Sequence, residues 1–503
     1  MMITSAAVKV QPINRTWEGI ALVGIIILAL LLALVNLPYA PRTWFDEGSH
    51  LHVPKTLVQR GVYADISSEG FRYYGPTVGV GPTVMLPIAL VFQLFGVGLL
   101  QGRLVIAAYG LLAFAVGFAL ARKIHGGRVA LLSLALSLAS RTVGFDGMVE
   151  YSRQVLGEIP GLAFLFLGAL AWISALHSRD RVTVLSSLAG LGFGLALVTK
   201  NQFVLILPPT LVLLALLDWR YYRAGNWAHR LLPVIIACAC FGLWTLVQLQ
   251  FLGPGGFAAN LAQTRQAAGG AIFVFDREAS LRAVRYIIQP YGGLLLPALA
   301  YGLWRCRART PQALSELLLL LLPILWLCWY LVSLGWPRYA FPAVAFGALA
   351  VARLLADMIG TLRTGRRPIL AWAVVAYAAL IIALPITLSA QAILQADDSA
   401  QRMAAYLDAH VPTTSIVETW EPELGVLTDH RYHYPPISLL DTAVRQTWLS
   451  GPALRYDGLS DRPQFVVVGS FGAWVGIYAG EILERDYTLT QHEGLYNLYV
   501  RRP

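Results

Sequence analysis

The sequence predicts a polytopic α-helical membrane protein, because it is strongly apolar, carries few charges and repeats apolar segments of spanning length. Its 503 residues are 57% hydrophobic and 13% charged, with a mean hydropathy of +0.61. Soluble domains carry about 25% charged residues, so roughly half of the usual ionic surface is missing. Apolar runs of about 18 to 25 residues recur along the chain, and this is the length that a membrane-spanning helix needs.

About eleven segments are predicted to span the membrane. They lie near residues 19–37, 100–122, 127–144, 157–176, 182–199, 202–218, 231–252, 288–304, 314–334, 340–357 and 369–390. The first is too long for a typical signal-peptide core, and no clear cleavage pattern follows it, so we expect it to remain as an uncleaved helix. The apolar stretch 81–96 begins irregularly and contains Pro87. We expect it to form an interfacial or partly inserted helix.

The loop charges predict the orientation of the chain. Alternate turns are basic, at residues 122–128, 179–181, 220–230, 305–309 and 363–367, whereas the intervening loops hold most of the acids. Basic loops face the cytoplasm in most membrane proteins. We therefore expect a cytoplasmic N-terminus, a multi-pass protein of the inner or plasma membrane, and a net charge of +10 that reflects topology rather than nucleic-acid binding.

An odd number of spans places the C-terminus on the outer side of the membrane. The composition of the chain further predicts two domains. Residues 1–390 form the transmembrane domain, with a first outer loop of about 39–99 that contains interfacial helices. Residues 391–503 form a small extracytoplasmic α/β domain, since polar residues replace the apolar runs there. Within it, 399–409 is predicted as a helix and 464–469 and 495–501 as strands.

Charged residues recur at the outer ends of the predicted spans. They are Asp46 and Glu47 after the first span, Arg153 and Glu158 at the fourth, Lys200 after the fifth and Arg338 before the tenth. Carboxylates near lipid are costly to place and are therefore functional candidates. Beside fixed cations they suit a substrate with a phosphate on an apolar tail: the cations bind phosphate, and a carboxylate can deprotonate an attacking hydroxyl.

Each of these residues also has a structural interpretation. Asp46 can cap the helix that follows, and Glu158 can interact with a helix dipole. Lys200 and Arg338 can be anchors that reach towards the membrane surface. The cluster Phe71-Arg-Tyr-Tyr74 is either an interfacial aromatic belt or a platform for sugar, with Arg72 and Tyr74 as its binding residues.

The sequence predicts no metal site. His50 and His52 alternate without a third ligand in view. The four cysteines form neither a CxxC motif nor a paired extracellular set, so neither a zinc site nor a disulfide framework is supported.

Over about residues 15–390 the chain resembles the membrane-embedded GT-C glycosyltransferases that use polyprenyl-phosphate sugars, such as the protein O-mannosyltransferases and the 4-amino-4-deoxyarabinose lipid A transferase. The motifs that carry the resemblance follow one another in order. They are Trp44-Phe-Asp-Glu47, Leu94-Phe-Gly96, Gln101-Gly-Arg-Leu104, Gly157-Glu-Ile-Pro160, Thr199-Lys200 and Pro337-Arg-Tyr-Ala-Phe-Pro342.

The resemblance implies a GT-C-like fold and an enzyme that moves a sugar from a polyprenyl-phosphate carrier to a glycan, lipid or protein acceptor. Asp46, with Glu47 beside it, is implied as the catalytic base or orienting carboxylate. The resemblance also implies that Lys200 and Arg338 lie near the lipid phosphate. Together with the residues singled out above, this gives the expected substrate-binding set: Arg72, Tyr74, Arg153, Glu158, Lys200, Arg338 and Tyr339. The chain has Gly79-Val-Gly-Pro-Thr83 where the family often has Lys-Pro-Pro. The resemblance implies no certain cofactor. A divalent cation is the one candidate, and the histidines that form the metal site of some members have no evident match in this sequence.

Two other classes of protein remain open. A lipid or glycan transporter or flippase would use similar spans and charges, but such proteins often show internal repeats and broken helices at the midplane. This sequence shows no repeat, and its charges gather at one surface rather than at the midplane, which favours an enzyme. A non-catalytic assembly or receptor protein could read glycans through its outer domain. A cavity at the outer face would favour transfer, whereas a polar path through the membrane would favour transport.

Overall fold

The computed structural model describes residues 15–73 and 79–503. Most of these residues are helical, and nine helices are long and apolar enough to cross a membrane within this described part of the chain. A mixed five-stranded sheet lies in the last hundred residues. The predicted fold class, a polytopic helical membrane protein with a small C-terminal α/β domain, is confirmed.

The long apolar helices correspond to nine of the predicted spans. They are α1 (Arg15–Leu34), α4 (Leu99–His125), α7 (Glu158–Leu176), α8 (Val182–Thr199), α9 (Gln202–Leu217), α10 (Trp227–Ile272), α13 (Pro311–Tyr330), α14 (Phe341–Thr364) and α15 (Pro368–Leu394). A π-helical turn, Asp218–Tyr222, extends α9. Helix α10 is interrupted at Gly253, whose φ is 68°.

The count of eleven spans is not confirmed. The other two predicted spans are the short helices α5 (Gly127–Leu138) and α12 (Leu295–Arg305), of 12 and 11 residues. At 1.5 Å per residue, each is about half as long as the hydrocarbon core of a bilayer is thick. Helix α5 ends with its C-cap at Ala139, and a turn of 3₁₀ helix at Pro290–Gly293 precedes α12.

The segment between α1 and α4 is built from short elements. Helix α2 (Phe45–Arg60) begins it, strands β1 (Asp65–Ser67) and β2 (Gly70–Arg72) form an antiparallel hairpin, and α3 (Pro82–Phe95) follows. Helix α3 has 14 residues, in agreement with the prediction that 81–96 is not an ordinary span. The remaining short helices of this part are α6 (Met148–Tyr151) and the amphipathic α11 (Arg277–Ile287).

The C-terminal domain combines short helices with a sheet of strand order β4-β3-β5-β7-β6. Its helices are α16 (Ser399–His410), α17 (Pro422–Leu427), α18 (Leu440–Leu449), α19 (Ser470–Val475) and α20 (Gly480–Asp486). Its strands are β3 (Ile416–Thr419), β4 (Arg431–His433), β5 (Phe465–Val468), β6 (Tyr487–Glu493) and β7 (Tyr496–Arg501). Strand β3 is parallel to β4 and β5, whereas β7 is antiparallel to both of its neighbours.

The domain is attached to the end of the helix bundle at which α1 and α15 finish. The amide of Asp397 donates to the carbonyl of Tyr39 (2.9 Å), and the side-chain amide of Asn36 donates to the carbonyl of Ile393 (3.1 Å). Helix α17 also packs along α2. We call this end of the bundle the domain-side end.

Candidate active site

Four charged residues predicted from the sequence meet at the domain-side end. Asp46 stands in the first turn of α2, Glu158 begins α7, Lys200 separates α8 from α9, and Arg338 lies in the turn that leads into α14. Arg338 pairs with Asp46, and Lys200 pairs with Glu158. We call these residues the four-charge cluster.

The pair of Asp46 and Arg338 is the more accessible part of the cluster. Their side chains are 22% and 16% exposed, against 3% and 7% for Glu158 and Lys200. Asp46 does not cap α2, because Trp44 occupies the N-cap position and makes no side-chain capping bond. Its carboxylate is therefore directed to Arg338 rather than to the backbone of its own helix.

Aromatic rings surround the Arg338 guanidinium. It lies 5.3 Å from the ring centre of Trp44, 5.0 Å from that of Trp336 and 5.8 Å from that of Tyr339, all within cation–π range. The indole of Trp326 donates to the carbonyl of Tyr339 and so fixes the turn that carries the arginine. The Nε atom of Arg338 is buried without a hydrogen-bond partner, so the guanidinium has donor capacity beyond its bond to Asp46.

The pair of Glu158 and Lys200 lies deeper and is fixed by the chain that follows the first-loop hairpin. Val80 forms a β-bridge with Lys200, and the amide of Gly81 donates to the carbonyl of Thr199 (2.9 Å). A Cβ on Gly81 would lie 1.8 Å from the carbonyl oxygen of Val198, so only glycine permits this approach. One oxygen of Glu158, Oε2, is buried without a partner.

The two ion pairs form a single electrostatic unit. Burial raises the pKa of Asp46, but the charges of Arg338 and Lys200 oppose this effect, and the net pKa lies below the usual range of an aspartate. Arg338 also acts on the charges of Glu158 and Lys200. With two cations and two carboxylates close together, the cluster can exchange its own pairs for contacts with an incoming anion.

His50 is part of this site, although sequence reasoning considered it only as an improbable metal ligand. It lies one helical turn after Asp46 on α2, and its Nδ1 is 2.8 Å from the carbonyl oxygen of Val155. Asp46, Glu158 and Lys200 all act on its charge. Its spacing of four residues from Asp46 could have indicated this position, because residues four apart lie on the same face of a helix.

Glu47 does not join the four-charge cluster. It is completely buried and accepts two hydrogen bonds from Arg103, at 2.8 and 2.6 Å. Its Oε1 also accepts from the amide of Val155 (3.1 Å). Successive residues of a helix point about 100° apart, so Asp46 and Glu47 reach different surroundings.

Arg153 lies apart as well. It is fully buried and donates to three backbone carbonyls, those of Leu32 (2.7 Å), Val35 (2.6 Å) and Ala40 (2.9 Å). These carbonyls lie at and beyond the C-terminal end of α1, where helical partners are missing. Arg153 therefore holds the connection between α1 and α2.

Of the predicted aromatic platform, Arg72 forms a bidentate pair with Asp65, at 3.0 and 2.8 Å, and lies over the ring of Tyr434. The pair with Asp65 lies within the β1–β2 hairpin, and the contact with Tyr434 joins the hairpin to the C-terminal domain. Tyr74 lies outside the described residues. Tyr339 borders the site, stacked on Trp329 with the ring centres 5.5 Å apart.

Among residues 15–73 and 79–503, no three His, Cys, Asp or Glu side chains are grouped closely enough to hold one metal ion. Asp46 is already paired with a guanidinium. These side chains therefore do not fit a metal centre.

Comparison with solved structures identifies the architecture. ArnT from Cupriavidus metallidurans in the apo state aligns with a TM-score of 0.62 at 15% identity, over 97% of this chain and 98% of that chain. ArnT bound to undecaprenyl phosphate gives 0.60 with the same identity and coverage. The archaeal oligosaccharyltransferase AglB from Archaeoglobus fulgidus, in complex with an inhibitory peptide and a dolichol-phosphate, gives 0.59 at 13% identity, over 97% of this chain and 74% of that chain. The fold is that of the GT-C glycosyltransferases.

One segment of the sequence matches a known protein family. Residues 79–244 match the family model described as dolichyl-phosphate-mannose-protein mannosyltransferase, a segment that includes Glu158 and Lys200. None of the curated proteins matches the sequence. The family match over residues 79–244 and the fold of the chain both support a multi-pass membrane glycosyltransferase of the GT-C type.

Proposed function

We propose that this glycosyltransferase moves a sugar from a polyprenyl-phosphate carrier to an acceptor hydroxyl, with Asp46 as the base or orienting carboxylate. The observation that carries the proposal is the four-charge cluster, which brings two carboxylates and two cations from distant parts of the chain to one end of the helix bundle. Glu158 and Lys200 lie in the segment that matches the mannosyltransferase family.

The cluster has the chemistry that a lipid phosphate requires. Arg338 and Lys200 supply the positive charge, and the unpartnered Nε of Arg338 supplies a further donor. The ArnT and AglB structures with the same fold hold undecaprenyl phosphate and dolichol-phosphate, which supports a carrier of this kind here. We propose that its apolar tail lies among membrane lipids while its phosphate enters the cluster.

In the proposed reaction the acceptor oxygen attacks the anomeric carbon of the sugar. The bond from this carbon to the phosphate oxygen breaks, and its electron pair leaves with the carrier. Arg338 and Lys200 neutralise the charge that develops on the phosphate, and such preorganised electrostatic stabilisation is commonly the largest contribution to catalysis. Asp46 orients the acceptor hydroxyl or accepts its proton.

We propose that transfer takes place on the extracytoplasmic side of the plasma membrane. The basic loops of the sequence favour a cytoplasmic location for the bundle end opposite the domain-side end. In this arrangement, residues 1–390 form the membrane domain and residues 391–503 face the acceptor. The acceptor is a glycan, a lipid or a protein.

The position of the charges favours transfer over transport. All four residues of the cluster stand at helix ends, whereas transporters commonly bind their substrates near the bilayer midplane.

The decisive experiment offers the purified protein a panel of labelled polyprenyl-phosphate sugars, with a membrane extract as acceptor, and identifies the product. We expect labelled sugar in an acceptor from one or a few donors. The Asp46→Asn variant should lose this transfer while the protein stays folded, and the exposed Asp180→Asn variant is its control. Wild-type turnover by Asp46→Asn would remove Asp46 from the reaction, and no transfer from any donor would refute the proposed function.

A further inference from the structure

The hydrogen bond between His50 and Val155 fixes the state of the imidazole ring. A carbonyl oxygen can only accept, so Nδ1 of His50 must carry the proton of the 2.8 Å bond. In the neutral ring the other nitrogen, Nε2, then holds a free lone pair. The second nitrogen of a histidine takes its role from the bond that the first one makes.

The Nε2 atom is available for chemistry. Within the described ranges 15–73 and 79–503 this nitrogen has no hydrogen-bond partner. It is also not completely buried. It faces the backbone of Gly79, where an added Cβ would lie 3.6 Å away. Because Gly79 has no side chain, residue 79 itself does not cover this nitrogen.

Asp46 is a weaker proton acceptor than its position suggests. Its ion pair with Arg338 stabilises the charged carboxylate, and its pKa lies below the usual range. Burial lowers the pKa of His50 as well, but from a usual value of 6.5, so the ring is neutral at pH 7. A neutral imidazole can accept a proton at Nε2, whereas the ion pair with Arg338 opposes protonation of Asp46.

We propose that His50 Nε2 is the group that takes the proton from the acceptor hydroxyl, while Asp46 orients that hydroxyl and stabilises the charged imidazole. The inference rests on the proposed function and assigns the proton within it. The acceptor oxygen forms a bond to the anomeric carbon, its proton moves to Nε2, and the carrier phosphate leaves with the electron pair of the broken bond. The charges of Asp46 and Glu158 favour the imidazolium, Lys200 opposes it, and the ring returns its proton to water after the products leave.

The test compares His50→Gln with wild type in the sugar-transfer assay. A well-placed general base contributes about 10²- to 10⁴-fold, so we expect kcat to fall by at least about 100-fold while the KM for the donor changes by less than about twofold. His177→Gln is the matched control, because its ring also bonds to a carbonyl, that of Ile173 (2.9 Å), but lies outside the site.

Two further measurements separate a proton acceptor from a structural residue. Wild-type kcat should fall on the acid side as His50 becomes protonated, below the usual histidine pKa, and this limb should disappear in His50→Gln. Added imidazole should restore part of the activity of His50→Ala and none of that of Asp46→Asn.

A His50→Gln enzyme with wild-type kcat, or one that keeps the same acid limb, would overturn the assignment. So would failure of imidazole to rescue His50→Ala. In all of these cases the wild-type protein still transfers sugar, whereas failure of the proposed function itself would show as no transfer from any donor.

Discussion

Gly48, two residues after Asp46, packs directly against the backbone of Glu423 in the C-terminal domain. A Cβ placed on Gly48 would lie 2.2 Å from the Glu423 nitrogen and 2.6 Å from its Cα. Helix α2, which carries Asp46 and His50, therefore rests on α17 without an intervening side chain. The C-terminal domain forms the support of the candidate active site.

This contact predicts that Gly48→Ala impairs catalysis. The added methyl group meets backbone rather than a flexible side chain, so α2 and α17 must separate, at a cost of about 1–3 kcal/mol. We expect kcat to fall by about tenfold or more, because small displacements of catalytic groups are costly. Gly24→Ala, where a Cβ meets nothing within 4 Å, is the control. Full activity and an unchanged Tm in Gly48→Ala would show that α2 does not need this support.

Lys55 secures the same interface. Its ammonium is buried and donates to the carbonyls of Gly425 (3.0 Å) and Thr428 (2.5 Å) at the end of α17, besides an ion pair with Asp429 (2.8 Å). Lys55→Met keeps the apolar stem but leaves these buried acceptors unpaired, which costs about 1–3 kcal/mol. We expect a lower Tm and faster proteolysis of the C-terminal domain. The exposed Lys123→Met should have no effect, and equal behaviour of the two variants would contradict the prediction.

We predict that Glu47 stabilises the folded protein and takes no direct part in the transfer reaction. This prediction tests the assignment of Glu47 as a catalytic residue. Both Glu47 and Arg103 are fully buried. Removing one charge of such a pair costs about 3–5 kcal/mol, whereas replacing both with apolar residues is often neutral. We expect Glu47→Gln to unfold at lower temperature and the double variant Glu47→Leu/Arg103→Met to recover most of the loss. A Glu47→Gln protein of normal stability but without activity would instead give Glu47 a direct part in transfer.

Arg338 is predicted to bind the donor phosphate. Arg338→Ala removes its charge, so we expect the KM for the polyprenyl-phosphate sugar to rise by about tenfold or more. Arg338→Lys keeps a cation but loses the planar donor arrangement and the stacking among aromatic rings, and should give an intermediate KM. The exposed Arg179→Ala provides the control. Unchanged donor affinity in Arg338→Ala would count against the role.

His433 should make the link between the β1–β2 hairpin and the C-terminal domain sensitive to pH. A hydrogen bond with Glu418 raises the pKa of His433 above its usual value of 6.5, and Glu69 lies 3.4 Å from its other nitrogen. A raised pKa stabilises the folded state below pH 6.5, and this contribution disappears as the pH rises through the folded pKa. Tm measured between pH 6 and 9 should therefore fall more in wild type than in His433→Gln. His492→Gln should follow wild type, and parallel curves for wild type and His433→Gln would contradict the prediction.

The sequence predicted correctly those features that depend on local patterns within one helix, strand or loop. Apolar runs located the nine long helices, and the predicted helix 399–409 and strands 464–469 and 495–501 correspond to Ser399–His410, Phe465–Val468 and Tyr496–Arg501. Alternating loop charges placed Asp46, Glu158, Lys200 and Arg338 at one level, and the structure brings them together. Hydropathy could not separate short helices such as α5 from full spans, because both are equally apolar.

The individual roles of the charged residues were harder to predict, since they depend on contacts between distant segments. Glu47 is adjacent to Asp46 in sequence but faces Arg103, a partner that no local pattern identifies. Arg153 serves the carbonyls at the end of α1, which is evident only once the two segments are packed together. The orientation of His50 depends on the carbonyl of Val155, more than a hundred residues away.

The bond from Lys55 to the carbonyl of Thr428 joins residues 373 positions apart, and it has a consequence for biosynthesis. All of the long helices precede Thr428 in the chain, so they can enter the bilayer before this anchor has been translated. During synthesis, the helices that carry the four-charge cluster can therefore be in the membrane before α17 is present to support α2. We therefore expect a chain truncated before Thr428 to insert its long helices but to lack the contact that supports α2.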